Sequence, residues 1–390
     1  MSEPPGNCRK NQSFDPIRGF LPAEDPLMRL PQLFAAWEEV AQNLPKILVG
    51  GRIESILNDL PPFPVDKLAT DRELERAMVI LSFLGHAYVL GGAKPRTRIP
   101  ARLAVPWHGV AERLGRPPVL SYASYALHNW RRIDPNGSVA LGNIVLLQNF
   151  LGGLDEEWFV LIHVDIEAKA APAIDSLLPA HEAVNRGDFC ALTRYLGAIA
   201  CSLEEVCQTL DRMPENCDPY IYYSRVRPYI HGWKDHPGLP DGVIYEGVSD
   251  YGDMPRKFRG ETGAQTGIIP ALDGALGISH RTDPLRIYLM ELREYMPLGH
   301  RKFIEAMERG PSIREFVIAH HENHPALREK YNACLQRIER FRTRHLEYAA
   351  RYIQMQSQKS ALNPTGVGTG GTPFMVYLAK HKGETPDFLI

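Results

Sequence analysis

The sequence predicts an all-α protein of two helical domains, and three observations carry that reading. Few stretches alternate strictly between apolar and polar residues, as a half-buried strand requires, whereas many repeat apolar side chains every three to four positions. Prolines and glycines, 32 of each in 390 residues, cut the remainder into connectors. The length itself points to two domains at roughly 100–200 residues each, and no repeat with a period of about 20–50 residues suggests a solenoid.

In chain order, helical spacing begins over 68–90, after the connector NDLPPFPV at 58–65. A Gly- and Pro-rich connector follows at 91–106, and 134–138 forms another. The spacing then predicts a helix over 139–150. The run NFLGGLDEEW breaks the pattern, so a domain boundary is expected near 151–153, with a small helical domain over 1–150 and a larger one over 151–390. The larger domain is predicted to hold helices over 156–178, 189–213, 284–295, 301–309 and 326–354, interrupted by a connector at 235–259. The Gly-, Ser- and Thr-rich segment SQKSALNPTGVGTGGT at 357–372 is expected to be a mobile loop.

Composition narrows the function. The 44 Lys+Arg balance 46 Asp+Glu, a formal net charge of −2, and a nucleic-acid binder normally shows a basic excess or stripe. The six cysteines form no CxxC pair and no CxxCH haem-attachment site, which fits a reducing compartment. The opening residues MSEPPGNCRKNQSFDP lack the apolar run of a signal peptide, and no segment approaches the ~20 apolar residues that span a bilayer. The expectation is a cytoplasmic protein with neither nucleic acid nor membrane as partner.

The strongest local signal lies in the last long helix. Leu327, Tyr331, Cys334, Ile338, Phe341, His345, Tyr348 and Tyr352 recur at alternating four- and three-residue steps, which puts them on one core-facing stripe. His345 is therefore an imidazole where an apolar residue belongs. It reads either as a core histidine satisfied by a carbonyl or as a haem or metal ligand. His163 and Glu167 share a helix face with Phe159, and this spacing is as common in solvated pairs as in sites. With His345 they would make a two-histidine, one-carboxylate iron set.

Other motifs are weaker. The run TGVGTGGT at 365–372 contains GxGxxG, but the dinucleotide fingerprint needs a βαβ unit around it, so a solvated loop or a lid over a ligand remains. HHENH, with His320, His321 and His324, reads as a surface turn before Pro325. Tyr222, Tyr223, Arg225 and Arg227 combine aromatics with cations, suited to a helix seam or to a pocket for an aromatic carboxylate.

Taken together, IPARLAVPWHGVAERLGRPPVLSYASYALHNWRRIDP (99–135), WFVLIHVDIEAKAAPAI (158–174), RPYIHGWKDHPGLPDGVIYEGV (227–248), FRGETGAQTGIIPALDGALGI (258–278), LREYMPLGHRKFI (292–304), FRTRHLEYAARYI (341–353) and GTGGTPFMVYL (368–378) resemble the indoleamine 2,3-dioxygenase family, in the family's order. The resemblance implies an all-helical fold with a small domain over a large one that holds haem b. It also implies insertion of O2 across the indole C2=C3 bond of tryptophan or a related indoleamine to give N-formylkynurenine, with an electron donor keeping the iron ferrous. His345 matches the iron ligand, Arg342 an arginine near a haem propionate, and Asp273 its partner acid. Arg227 matches the clamp for the substrate carboxylate. Tyr222 and Tyr223 stand where animal members have phenylalanines. Phe159, Tyr122 and Tyr125 match pocket residues, Thr262 and Gly263 the backbone near the distal haem face, and Thr369 with Gly370 the closing lid. His163 replaces a serine of mammalian members; in the sister tryptophan 2,3-dioxygenases a histidine faces the indole N–H from that place. The same resemblance leaves two rivals: a relative that oxidises or rearranges a substituted indole in secondary metabolism, and a haem protein that only binds O2.

Overall fold

The structure, a computed structural model, describes residues 14, 16–279, 284–358, 379–380 and 383–390. Its helices are α1 Ala35–Gln42, α2 Leu44–Val49, α3 Ile53–Asp59, α4 Asp71–Leu90, α5 Ala101–Leu114, α6 Leu154–Arg186, α7 Phe189–Asp211, α8 Pro219–Ile221, α9 Arg227–Ile230, α10 Ile268–Leu276, α11 Pro284–Leu292, α12 Leu298–Arg309, α13 Ile313–His320, α14 Pro325–Ala349 and α15 Met355–Ser357. Strands among the described residues are confined to two short pairs. β1 Arg98–Ile99 runs parallel to β4 Ile244–Tyr245, and β2 Trp130–Arg132 runs antiparallel to β3 Ile144–Leu146. The all-α expectation holds.

Two apolar cores organise these elements, and α6 feeds both. The first is built on α4, which starts at a capping box between Thr70 and Glu73 and is then buried on nearly every face, as a central helix must be. Gly85 makes its contact with α5 possible: a Cβ there would come within 2.1 Å of the Trp107 ring. The second core packs α6 antiparallel to α7, with α14 lying across α7 and α10 and α12 closing the other side. Gly187, at φ 65°, reverses the chain between α6 and α7, and Asp188 caps α7 by accepting from the Ala191 N–H.

One predicted helix is absent. Residues 139–150 form turns and β3 because polar side chains take backbone groups a helix would use: Asp165 accepts from the Leu141 N–H, Glu157 from the Leu146 N–H, and the Asn129 amide donates to the Gln148 carbonyl, while Asn143 ties down the turn before the segment. The Asn143 side-chain amide donates to the Asp134 and Ser138 carbonyls while its oxygen accepts from the Asp134 N–H. Glu156 accepts from the N–H groups of Phe150 and Leu151. Elsewhere helices run longer than predicted: α6 continues through Pro172 and Pro179 to Arg186, with the Ser176 hydroxyl donating to the Pro172 carbonyl.

Candidate active site

Helix α14 is fixed on three sides before it presents His345. Leu327, Tyr331, Cys334 and Ile338 are buried along the predicted stripe, Phe341 and Tyr348 pack partly, and Tyr352 is buried, donating its hydroxyl proton to the Cys217 carbonyl at 2.7 Å. Arg340 and Arg344 pair with Asp211 at the end of α7. Arg342 pairs with Asp273 of α10 at 2.6 Å, the partnership expected from the sequence, and also donates to the Thr385 hydroxyl.

His345 itself is unlike its stripe neighbours. Its side chain is open rather than packed, yet it sits deep enough for burial to hold the imidazole neutral, at about 4, with the nearby His163 pushing the same way. Among the described residues no hydrogen bond engages either ring nitrogen. A neutral imidazole that lines an internal space with its lone pair available is the donor that haem iron takes. No other His, Cys, Asp or Glu set competes, since no three of these gather as a metal group among the described residues. The alternative two-histidine, one-carboxylate set is thereby overturned. Glu167 is turned away to accept from the Tyr122 hydroxyl at 2.9 Å and the Thr266 hydroxyl at 2.6 Å.

His163 belongs to the same space. Its Nδ1 lies 2.7 Å from the Phe159 carbonyl, which can only accept, so Nδ1 carries the proton and Nε2 is left as an acceptor. Burial lowers its pKa and keeps that tautomer neutral. Nε2 faces Gly263, 4.0 Å from where a Cβ on that residue would stand. Thr262 precedes it, its hydroxyl accepting from the Ala264 N–H. Phe159 is the hub of the aromatic wall: its ring centroid is 4.6 Å from both His163 and Tyr222, and 6.4 Å from Tyr125. Tyr122 meets His163 edge-on at 5.9 Å, and Tyr222 meets Tyr352 at 5.9 Å.

Arg227 opens α9 and is buried, its guanidinium 5.3 Å from the Tyr223 ring centre. Burial pulls its pKa down, and the adjacent tyrosines oppose that shift. The end of α9 is held to the 261–263 segment by backbone contact. The Glu261 N–H donates to the Ile230 carbonyl, and a Cβ on Gly232 or Gly260 would come within about 2.2 Å of the facing backbone nitrogen.

The structure thus brings His345, His163, Phe159, Tyr122, Tyr125, Tyr222, Tyr223, Arg227, Thr262 and Gly263 into one neighbourhood. Thr369, Gly370 and the 365–372 glycine run lie outside the described residues. The HHENH turn is no metal site: His320 and His324 pack on Phe189, the latter stacked at 3.9 Å. Sequence reasoning missed the π-turns Ala123–Leu127, Tyr222–Val226 and Ala350–Gln354, which carry or adjoin pocket residues. It also missed Glu261, a buried acid pushed up to about 8.

A family model described as Indoleamine 2,3-dioxygenase matches residues 10–388. The chain is 36% identical over 378 residues to Indoleamine 2,3-dioxygenase 1 of Rattus norvegicus, covering 94% of this chain and 92% of that protein. It is 34% identical over 383 residues to Indoleamine 2,3-dioxygenase acdA of Aspergillus candidus, with 95% and 94% covered. Against Indoleamine 2,3-dioxygenase 2 of Homo sapiens, it is 32% identical over 385 residues, with 95% and 93% covered.

Proposed function

The chain belongs to the indoleamine 2,3-dioxygenase family, and on that footing we propose that its substrate is L-tryptophan and its product N-formylkynurenine. It is a haem-dependent dioxygenase acting on indoles. When bound, haem supplies the iron that activates O2 for insertion across the indole C2=C3 bond. The protein's part is to hold and orient. His345 holds the iron, and Arg342 with Asp273 supports a haem propionate.

Arg227 grips the substrate carboxylate, a planar cation matched to a planar anion and desolvated enough for the pair to be strong. Phe159 and Tyr222 flank the indole ring, with Tyr122, Tyr125 and Tyr223 behind them. The Nε2 of His163 accepts the indole N–H; it needs to remove no proton, because the overall reaction takes no hydrogen from the indole. Thr262 and Gly263 bring backbone to the same pocket, and Thr369 with Gly370, matched by the resemblance to a closing lid, lies outside the described residues. An electron donor keeps the iron ferrous. The five described cysteines carry free thiols, in keeping with a cytoplasmic setting, and no described helix is long and apolar enough to cross a membrane.

The observation that supports this reading most is the pairing of two neutral histidines near one internal space, one with no nitrogen engaged and one presenting an acceptor, beside a buried arginine. The test is to supply reduced, haem-loaded protein with O2 and either L-tryptophan or tryptamine, and to follow formation of the N-formyl ring-opened product. L-Tryptophan should turn over far better than tryptamine. Arg227→Ala should erase that preference by lowering kcat/KM for tryptophan by about 2–5 kcal/mol, roughly 30-fold to several thousand-fold. Equal turnover of both substrates by the parent, or preference for a ring-substituted indole, would refute tryptophan as the substrate.

A further inference from the structure

His86 lies in the last two turns of α4, outside the residues assigned above, and is fully buried. Both of its ring nitrogens are used. Nδ1 is 2.7 Å from the Tyr229 carbonyl, and the Leu120 N–H donates to Nε2 at 2.9 Å. A carbonyl offers no proton, so Nδ1 carries the hydrogen and one neutral tautomer satisfies both contacts. Burial holds that neutral form, the pKa falling to about 3.

The two backbone groups it joins belong to two segments that each adjoin residues assigned to the site. Leu120 stands two residues before Tyr122 and leads into the π-turn that carries Tyr125; Tyr229 stands two residues after Arg227 on α9. A second path closes the loop. The Trp233 ring centre lies 4.7 Å from the imidazole, Trp233 Nε1–H donates to the Tyr245 hydroxyl at 2.8 Å, and that hydroxyl donates to the Pro118 carbonyl at 2.6 Å. Residues 118–120 and 229–233 are therefore tied twice through one buried network, and His86 is the member that touches both segments directly.

We infer that His86 is a positioning residue that sets the spacing between the Arg227 clamp and the Tyr122 and Tyr125 wall. The inference rests on the reading of Arg227 as the carboxylate clamp. An imidazole does this because it offers a donor and an acceptor at fixed separation from one rigid ring. An apolar residue of similar size fills the volume but leaves a buried N–H and a buried C=O without partners, and both segments then shift to find them. Glutamine, whose amide also carries one donor and one acceptor, can restore the bridge.

The experiment is an optical titration of haem-loaded ferrous protein with L-tryptophan, comparing the parent with His86→Leu, His86→Gln, Arg227→Ala and the Arg227→Ala/His86→Leu double variant. His86→Leu should weaken tryptophan binding about tenfold or more at unchanged haem content. His86→Gln should return most of that loss. In the Arg227→Ala background His86→Leu should add little, because the clamp it positions is gone. Full additivity, or parental binding by His86→Leu, overturns the inference. If Arg227→Ala alone has no effect, the clamp reading fails. If Arg227→Ala weakens binding and His86→Leu does not, the positioning role alone fails. Should His86→Leu not yield haem-loaded protein, Tyr245→Phe decides: it cuts the link to Pro118 and should loosen tryptophan, non-additively with Arg227→Ala, whereas parental binding by it overturns the inference.

Discussion

Three histidines, one buried, one half-buried and one open, differ in how many ring nitrogens the protein itself uses, and that count sorts their roles. His86 has both engaged and is packed on all sides; His163 has one engaged and one presented; His345, among the described residues, has neither. An imidazole with nothing to hold structurally is free to hold a metal. His345→Ala should therefore keep the helical fold, read by far-ultraviolet circular dichroism, while the purified protein loses the Soret absorbance of bound haem. Full haem content with an unchanged ferrous spectrum would assign the iron to another ligand. The presented acceptor on His163 makes a different expectation. 1-Methyltryptophan offers no N–H and adds a methyl group in the same direction, so the parent should reject it. His163→Ser should reduce turnover of L-tryptophan and relax that exclusion; an unchanged ratio of the two substrates would mean that Nε2 does not meet the indole. The odd position of His345 was legible in the sequence as a break in an apolar stripe. Its open side chain was not, because periodicity gives the face of a helix and says nothing of what stands opposite.

At the scale of the element, the long helices were readable because their stripes persist over many turns: α4, α7 and α14 lie where three- and four-residue spacing puts them. The 139–150 segment has the same spacing but folds as turns and a strand, because a dozen residues of pattern are outweighed by Asp165, Glu157 and Glu156 capturing the N–H groups of Leu141, Leu146 and Phe150 and by Asn129 capturing the Gln148 carbonyl. The π-turns are harder still. An extra residue in a helical turn rotates every later side chain by about 100°, and no residue type is required for it. Only Tyr222–Val226 carried a cue. Pro228 has no N–H to give the Ser224 carbonyl and its ring would press on that oxygen, so widening the preceding turn relieves both problems. Arg227, which follows the widened turn, is the side chain that it re-aims, and the proposed carboxylate clamp depends on that direction.

At the scale of the whole molecule, the region where α6 meets both cores carries carboxyl groups with little water to solvate them. Burial raises Glu156 to about 7, Glu167 to about 7 and Glu261 to about 8. Glu167 joins three parts of the fold, α6, the segment bearing Tyr122 and the turn bearing Thr266, and both hydroxyls donate to the same oxygen, Oε1. Among the described residues Oε2 is buried with no partner, which is where a proton can reside. The folded pKa of Glu167 stands above its unfolded value, so the folded state binds more protons in that interval. The stability due to the neutral acid is full below about 4.5 and is lost as pH rises through about 7. Glu167→Gln keeps an oxygen to accept both hydroxyls and cannot ionise. Whatever fixed cost the new amide carries at pH 5, the thermal midpoint of the haem-loaded variant should rise relative to the parent between pH 5 and pH 8, by the equivalent of up to about 3 kcal/mol. Haem loss with pH is common to both proteins and cancels in the difference. A difference that stays constant across that range would mean that Glu167 keeps one charge state throughout, with its carboxylate solvated or paired in the folded protein.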